Sequence, residues 1–277
     1  LSSTWLKFKK FREQNLRLSR RFKAQGYEHD SERLKKCGSS VTVKKCGGCG
    51  QDYFATYVDS CENNFCYICS YKKMLVWLKV SVPVIEVYQA RKKKIILLTL
   101  TLKNQPDVRA MMDKLNSSFK LLLKRKIFTG LIGGILSREV AGRKGKWHVH
   151  AHGIVIADDY IDQANLSLIW RQITGNSYIV GLSLIRGKKG IIEAMKYPFK
   201  FNDFDDDSLG EILRLKGRRM RSTFGQIRKE ISAQKIKQSE EDCLQKSLDL
   251  ETFVCKKCGC TSAELRTIFY NDNLNLL

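Results

Sequence analysis

The sequence predicts a layered domain in which strands alternate with helices, with a cysteine-rich module before it and a basic, cysteine-containing tail after it. Three observations predict this. Runs rich in β-branched residues alternate with helical periodicity from residue 94 onward. Six of the ten cysteines fall within residues 37–73 among Gly, Asn and Asp, and the other four fall within residues 243–260. Lys94 to Leu102 reads as a strand, 107–126 as a helix, Trp147 to Ala157 as a strand, 160–173 as a helix, Tyr178 to Ile185 as a strand and 190–197 as a helix. Upstream, the spacing of Trp5, Phe8 and Phe11 among eleven Lys/Arg in residues 1–36 predicts an amphipathic helix with a basic face, an accessory arm. Residues 209–242 read as basic and helical. The predicted divisions are 1–36 (arm), 37–85 (zinc-binding module), 86–208 (strand and helix domain), 209–242 (basic helical region) and 243–277 (small cysteine-containing tail).

Charge narrows the function. Fifty Lys+Arg against 28 Asp+Glu give a formal charge of +22 over 277 residues, which calls for a polyanionic partner, and nucleic acid is the expected one. Apolar stretches such as Ile95 to Leu98 and Gly130 to Leu136 are far shorter than the roughly 20 residues of a membrane-spanning helix, so no membrane partner is expected. The chain starts with Leu, as a fragment or a literally translated UUG start would, and its first residues lack the order of a secretory signal. The expected compartment is the cytoplasm, where thiols stay reduced and paired Cys-x-x-Cys spacings read as metal ligands.

Three of the four histidines lie in Trp147-His148-Val149-His150-Ala151-His152-Gly153. On a strand their side chains share one face, close enough for two imidazoles to hold one divalent ion. A strand whose polar face merely uses histidine is the plain alternative. Asp158 and Asp159, the nearest carboxylates in the sequence, lie past the strand end, which disfavours a two-zinc hydrolase. Glu193, Tyr197 and Lys200 follow at i, i+4, i+7 and share a helix face, although Pro198 pushes Tyr197 toward a helix end or kink. Alone, that segment would read as an amphipathic helix with a surface ion pair. Together with the histidines it can divide the work of phosphodiester attack among a nucleophile, a charge-stabilising lysine and a carboxylate.

Three segments in order resemble the motifs of rolling-circle plasmid replication initiators, a branch of the HUH endonucleases: Ile96-Leu-Leu-Thr-Leu-Thr-Leu102, His150-Ala151-His152 after Trp147-His148, and Lys196-Tyr197-Pro198-Phe199-Lys200. Lys216-Gly217-Arg218-Arg219 and Gly225 resemble the downstream signature, so the likeness spans roughly residues 60–230. The resemblance implies an α+β fold: an HUH-endonuclease-like antiparallel sheet with flanking helices, preceded by the zinc module and followed by the basic, cysteine-containing tail. It implies that Tyr197 nicks single-stranded or hairpin origin DNA, stays joined to the 5′ phosphate and leaves a 3′ hydroxyl for a host polymerase, with a host helicase as a further partner. His150 and His152 would hold Mg or Mn. His148 is on the correct face for the unassigned third ligand. Glu193 matches a glutamate assigned in one branch to the terminating hydrolytic step, and Ala151 departs from the bulkier apolar residue usual there.

Cys46-Gly-Gly-Cys49 followed after sixteen residues by Cys66-Tyr-Ile-Cys69 is a structural-zinc pattern, into which Cys37 or Cys61 could enter. The segment Cys61 to Cys69 also resembles a cysteine motif that precedes the nuclease domain in many such initiators. Cys243, Cys255, Cys258 and Cys260 supply four thiols for a possible second zinc. The leading reading is a metal-dependent nicking and joining initiator. Its rivals are a transposase or relaxase of the same chemistry, a non-catalytic zinc-dependent DNA-binding regulator, and an RNA-binding protein. The sequence leaves the oligomeric state open.

Overall fold

A computed structural model describes residues 3–187, 190–191, 204–236 and 254–269. The chain divides into two units: a cysteine unit of residues 1–73 and 237–277, and a sheet unit of residues 74–236.

The sheet unit is built on five antiparallel strands: β3 (Lys94–Thr101), β4 (Leu131–Arg143), β5 (Lys146–Ala157), β6 (Val180–Leu184) and β7 (Arg221–Gly225), ordered β6-β3-β5-β4-β7. All four pairings are antiparallel. The strands follow from composition, since β3 reads Lys-Ile-Ile-Leu-Leu-Thr-Leu-Thr with Ile95, Ile96, Leu98 and Leu100 buried. β4 and β5 form a hairpin whose register turns at Lys144-Gly145, with Gly145 at φ 81°. On the other side of β4, a Cβ on Gly133 would meet the Phe224 carbonyl oxygen at 2.6 Å. A Cβ on Gly225, which stands at φ 67°, would meet the Gly133 Cα at 2.5 Å, so β7 can join the sheet only with glycine at both positions.

Two helices cover one face. In α4 (Val108–Leu122) the buried residues Val108, Met111, Met112, Leu115, Phe119 and Leu122 recur at helical spacing, and Asp107 caps the start by accepting from the N–H groups of Arg109 and Ala110. α5 (Gln163–Thr174) buries Leu166 and Trp170, starts at the cap Asp162 and ends on Gly175 in the left-handed conformation. The Trp170 indole donates to the Thr101 carbonyl at 2.9 Å, and Trp147 donates to Glu211 of α6 (Asp206–Leu213) at 2.6 Å.

The opposite face carries Ile95, Ile135, Ile154 and Ile156 at one end. They join Val80, Ile85 and Tyr88 of α3 (Tyr67–Ala90), Ile185, Ile191, and Ile227 and Ile231 of the helical run 227–236 in one buried cluster. Burial along β5 shows where that cover stops. From Gly153 to Ala157 every residue is buried, whereas in Trp147 to His152 the buried Trp147, Val149 and Ala151 alternate with half-buried histidines. One half of this face is core and the other half is accessible.

In the cysteine unit α1 (Ser3–Ala24) and α2 (Glu28–Lys36) pack together, and β1 (Ser40–Cys46) is the middle strand of a sheet ordered β2-β1-β8 with β2 (Asp52–Val58) and β8 (Ala263–Phe269). The predicted accessory arm is therefore part of this unit. Arg12 is buried and donates to the Cys37 carbonyl at 3.2 Å, Asn15 accepts from the Tyr67 N–H at 2.9 Å, and Phe22 packs on Phe65. Two further expectations are corrected. Residues 209–242 are not uniformly helical, because β7 lies within them and pairs with β4. The boundary expected between residues 85 and 86 falls inside the 24-residue helix α3, which begins among the cysteines at Tyr67.

Candidate metal centre

The accessible half of the sheet face is set by register. Antiparallel pairing places Thr99 and Ser137 on either side of His152, and Thr101 and Glu139 on either side of His150. Successive strand residues alternate faces, so His148, His150, His152, Thr99 and Glu139 all project from this one face.

Glu139 closes the group. Its Oε2 lies 3.3 Å from His150 Nε2 and 3.6 Å from His152 Nε2, and the three residues each bring a ligand atom within 4.8 Å of the others. The Thr99 hydroxyl is 3.0 Å from His152 Nδ1, where it can accept the ring N–H and so direct the Nε2 lone pair toward Glu139. A carboxylate with two imidazoles is a donor set suited to a divalent cation, Mn²⁺ better than Mg²⁺ because imidazole is a softer donor than oxygen.

His148 does not join them. Its Nδ1 is 2.9 Å from the Asn104 side-chain oxygen, and burial together with the neighbouring His150 holds its imidazole below the usual histidine range. The donor that the fold brings within reach of His150 and His152 is Glu139 of the neighbouring strand rather than the expected His148: Glu139 stands opposite His150, and Ala141 opposite His148. Hairpin arithmetic could have found it. A two-residue turn at 144–145 fixes partners that sum to 289, and 150 then pairs with 139. Asp158, at the far end of β5, pairs with Lys93 at 2.6 Å.

Basic and aromatic groups continue along the same row. Ser137 is opposite Arg221 of β7, whose Nε donates to the Ser137 hydroxyl at 2.9 Å. Burial pulls the Arg221 guanidinium down to about 10, and its carbon lies 5.6 Å from the centre of the Trp77 ring. Lys235 Nζ lies 4.0 Å from the same ring centre. Glu193, Tyr197 and Lys200 lie outside the described residues. Ile191, two residues before Glu193, is buried in the isoleucine cluster on the histidine face.

The cysteines gather differently from the expectation. Cys46 and Cys49 do not share a group with Cys66 and Cys69. Cys37, Cys61, Cys66 and Cys69 form one buried group, and Cys46, Cys49, Cys255 and Cys258 form another. The reason is nonlocal: α2 delivers Cys37 to the start of α3, while β8 pairs with β1 and sets Ala263 opposite Cys46. Cys260 stays outside both groups, its Sγ 3.4 Å from the Ser262 N–H, and Cys243 lies outside the described residues. In the first group Sγ separations of 3.4 Å (Cys66–Cys37), 3.5 Å (Cys37–Cys69) and 3.7 Å (Cys61–Cys69) are far beyond the roughly 2 Å of a disulfide and near the edge of a zinc–thiolate tetrahedron, about 3.8 Å for 2.3 Å bonds. Burial and the neighbouring sulfurs push the Cys66 thiol up, whereas hydrogen bonds from Cys37, Cys61 and Cys66 hold Cys69 down.

Known proteins place these features in context. The sequence profile of a family described as Replication protein matches residues 54–261, a stretch that includes β3, the histidine strand and cysteines of both groups. The chain is similar to "Protein rep" of Staphylococcus aureus, with 30% identity over 164 residues that cover 53% of this chain and 72% of that protein. No solved structure matches the chain. Among the described residues, no helix is long and apolar enough to cross a membrane.

Proposed function

The chain belongs to the replication protein family, and on that premise we propose that it initiates rolling-circle replication of a plasmid-like replicon by nicking and rejoining single-stranded origin DNA. The observation that carries this reading is the convergence of Glu139, His150 and His152 on the accessible half of the sheet face. Ile191, six residues before Tyr197 in the sequence, is buried on that face.

In this reading Glu139, His150 and His152 would hold Mn²⁺ or Mg²⁺, which would supply Lewis-acid polarisation of a phosphate oxygen. The Tyr197 phenol gives up its proton as its oxygen attacks phosphorus; one O–P bond forms, the bond to the 3′ oxygen breaks, and that oxygen takes up a proton to leave as the 3′ hydroxyl, with no net proton consumed. The products are a 5′-phosphotyrosine and a primer end for a polymerase. Lys200 orients the charged phosphate, and Glu193 activates the hydroxyl or water that ends the cycle. Thr99 keeps His152 in its metal-binding tautomer. Arg221 and Lys235, with the surplus of 22 positive charges, hold DNA backbone without reading bases. The group Cys37, Cys61, Cys66 and Cys69 would hold structural zinc. Origin DNA, a host helicase and a polymerase would be the partners, in the cytoplasm.

The test is to incubate the chain with labelled single-stranded origin DNA and Mn²⁺ or Mg²⁺ and to look for a labelled adduct that survives denaturation. The adduct should vanish in Tyr197→Phe and in the His150→Ala, His152→Ala double variant. Tight binding without any adduct across origin oligonucleotides would leave a non-catalytic DNA-binding regulator instead.

A further inference from the structure

We propose that Cys46, Cys49, Cys255 and Cys258 form a tetrathiolate zinc site assembled from two chain segments about two hundred residues apart in sequence, and that its metal fastens the segment carrying β8 to β1. Each half is the same backbone device. In the first, the Gly50 N–H donates to the Cys46 carbonyl at 3.0 Å and the Cys46 N–H donates to the Gln51 carbonyl at 2.9 Å. In the second, the Gly259 N–H donates to the Cys255 carbonyl at 2.8 Å and the Cys255 N–H donates to the Cys260 carbonyl at 2.8 Å. Gly50 and Gly259 both stand at positive φ, 69° and 71°, immediately after the second cysteine of their pair. Two Cys-x-x-Cys-Gly knuckles thus repeat one geometry at distant points of the sequence, a repetition that a chance meeting of thiols would not produce.

The sulfurs meet across the two halves. Cys46 Sγ is 3.5 Å from Cys258 Sγ and Cys49 Sγ is 3.6 Å from Cys255 Sγ, too far for disulfides and close to the edge of a zinc–thiolate tetrahedron. All four lie within 4.8 Å of one another. The knuckles also interlock sterically. A Cβ on Gly48 would sit 3.0 Å from Cys260 Cβ and 3.2 Å from its Sγ, and one on Gly47 would sit 2.8 Å from the Ser262 hydroxyl. The Gly-Gly between Cys46 and Cys49 therefore makes room for the second knuckle. Beside it, β1 and β8 pair from Ser40↔Phe269 to Cys46↔Ala263, so the metal would close the end of a ladder that already joins the two segments. Four thiolates in tetrahedral reach favour zinc over harder cations. This site stands on the geometry of the cysteine unit alone and is independent of the nicking reaction.

The test uses the full chain, purified with reductant and without chelator. Metal analysis should find two zinc ions per chain, and Cys49→Ser with Cys258→Ser should reduce this to one, while Cys243→Ser and Cys260→Ser keep two. Should the double variant fail to fold, alkylation of the wild-type chain mapped by mass spectrometry still decides. Cys46, Cys49, Cys255 and Cys258 should be protected until a zinc chelator is added, with Cys260 reactive throughout. One zinc in the wild-type chain, two in the double variant, or these four thiols alkylated at the rate of Cys260 would overturn the proposal.

Discussion

The two units solve the problem of stability by different means. The sheet unit buries a continuous set of isoleucines, valines and leucines on both faces of five strands. In the cysteine unit the buried side chains include Cys37, Cys46, Cys61, Cys66, Cys69 and Cys255, together with Arg12, Asn15, Ser19, Asp30, Ser31 and Asn63. Among the described residues, Leu18, Phe22, Leu34, Phe65 and Ile68 form the apolar part of that interior. Interior given to thiols and amides forgoes part of the roughly 25 cal/mol per Å² that apolar burial contributes, and metal held by those thiols would add stability in its place. In the sheet unit the described interior is apolar, so the donors Glu139, His150 and His152 on its accessible face could serve chemistry rather than stability.

The difference can be broken experimentally, and the largest expected effect comes from metal removal. Structural zinc contributes on the order of 10–16 kcal/mol to small domains that depend on it. A chelator should therefore abolish hydrogen-exchange protection across Cys37, Cys46 and Cys61–Cys69 while amides of β3 and β5 keep theirs. Simultaneous loss in both units would end the distinction. Next in size is Leu98→Ala, which removes a fully buried side chain from β3 and should cost the sheet unit about 2–5 kcal/mol in denaturant unfolding while zinc content stays at the wild-type value.

Smaller in energy but sharper in location are changes at the accessible face. Glu139→Gln and Thr99→Val should each weaken Mn²⁺ binding by about tenfold or more, as read by calorimetry, without altering zinc content or the unfolding midpoint of either unit. The smallest effect belongs to the exposed pair Arg218–Asp113, in which the guanidinium holds the Asp113 carboxyl below its usual range. A depressed carboxyl stabilises the fold above its unfolded pKa of about 4, and the contribution is lost as pH falls through the lower folded value. The melting-temperature difference between wild type and Asp113→Asn should thus be slight at neutral pH and should shrink below about pH 4.

What the sequence discloses depends on how far each feature reaches. β3, α4, β5, α5 and β6 are legible because their patterns are local: alternation in His148-Val149-His150-Ala151-His152, or the three- and four-residue spacing from Val108 to Leu122. β4 is harder to read because Gly133, Gly134 and Gly142 interrupt it, and those glycines answer to neighbouring strands rather than to β4 itself. β7 is concealed in a run of arginines and shows itself only through its pairing with β4. The candidate metal site divides along the same line, with two histidines visible from their spacing and Glu139 visible only through the hairpin register. The cysteine pairs invite grouping with their nearest neighbours in sequence, yet β8 draws Cys46 and Cys49 toward Cys255 and Cys258 instead.

The pairing of β8 with β1 also imposes a schedule. Ser40 faces Phe269, so β1 leaves the ribosome more than two hundred residues before its second neighbour does, a wait on the order of ten to forty seconds at roughly 5–20 residues per second. Throughout that interval β1 and β2 are a two-strand ribbon with a bare edge open to any other extended chain. Lys45 lies on that strand, and charge along an edge strand discourages a second copy from adding itself. The sheet unit, encoded wholly between the two halves, has left the ribosome before β8 reaches the strand with which it pairs.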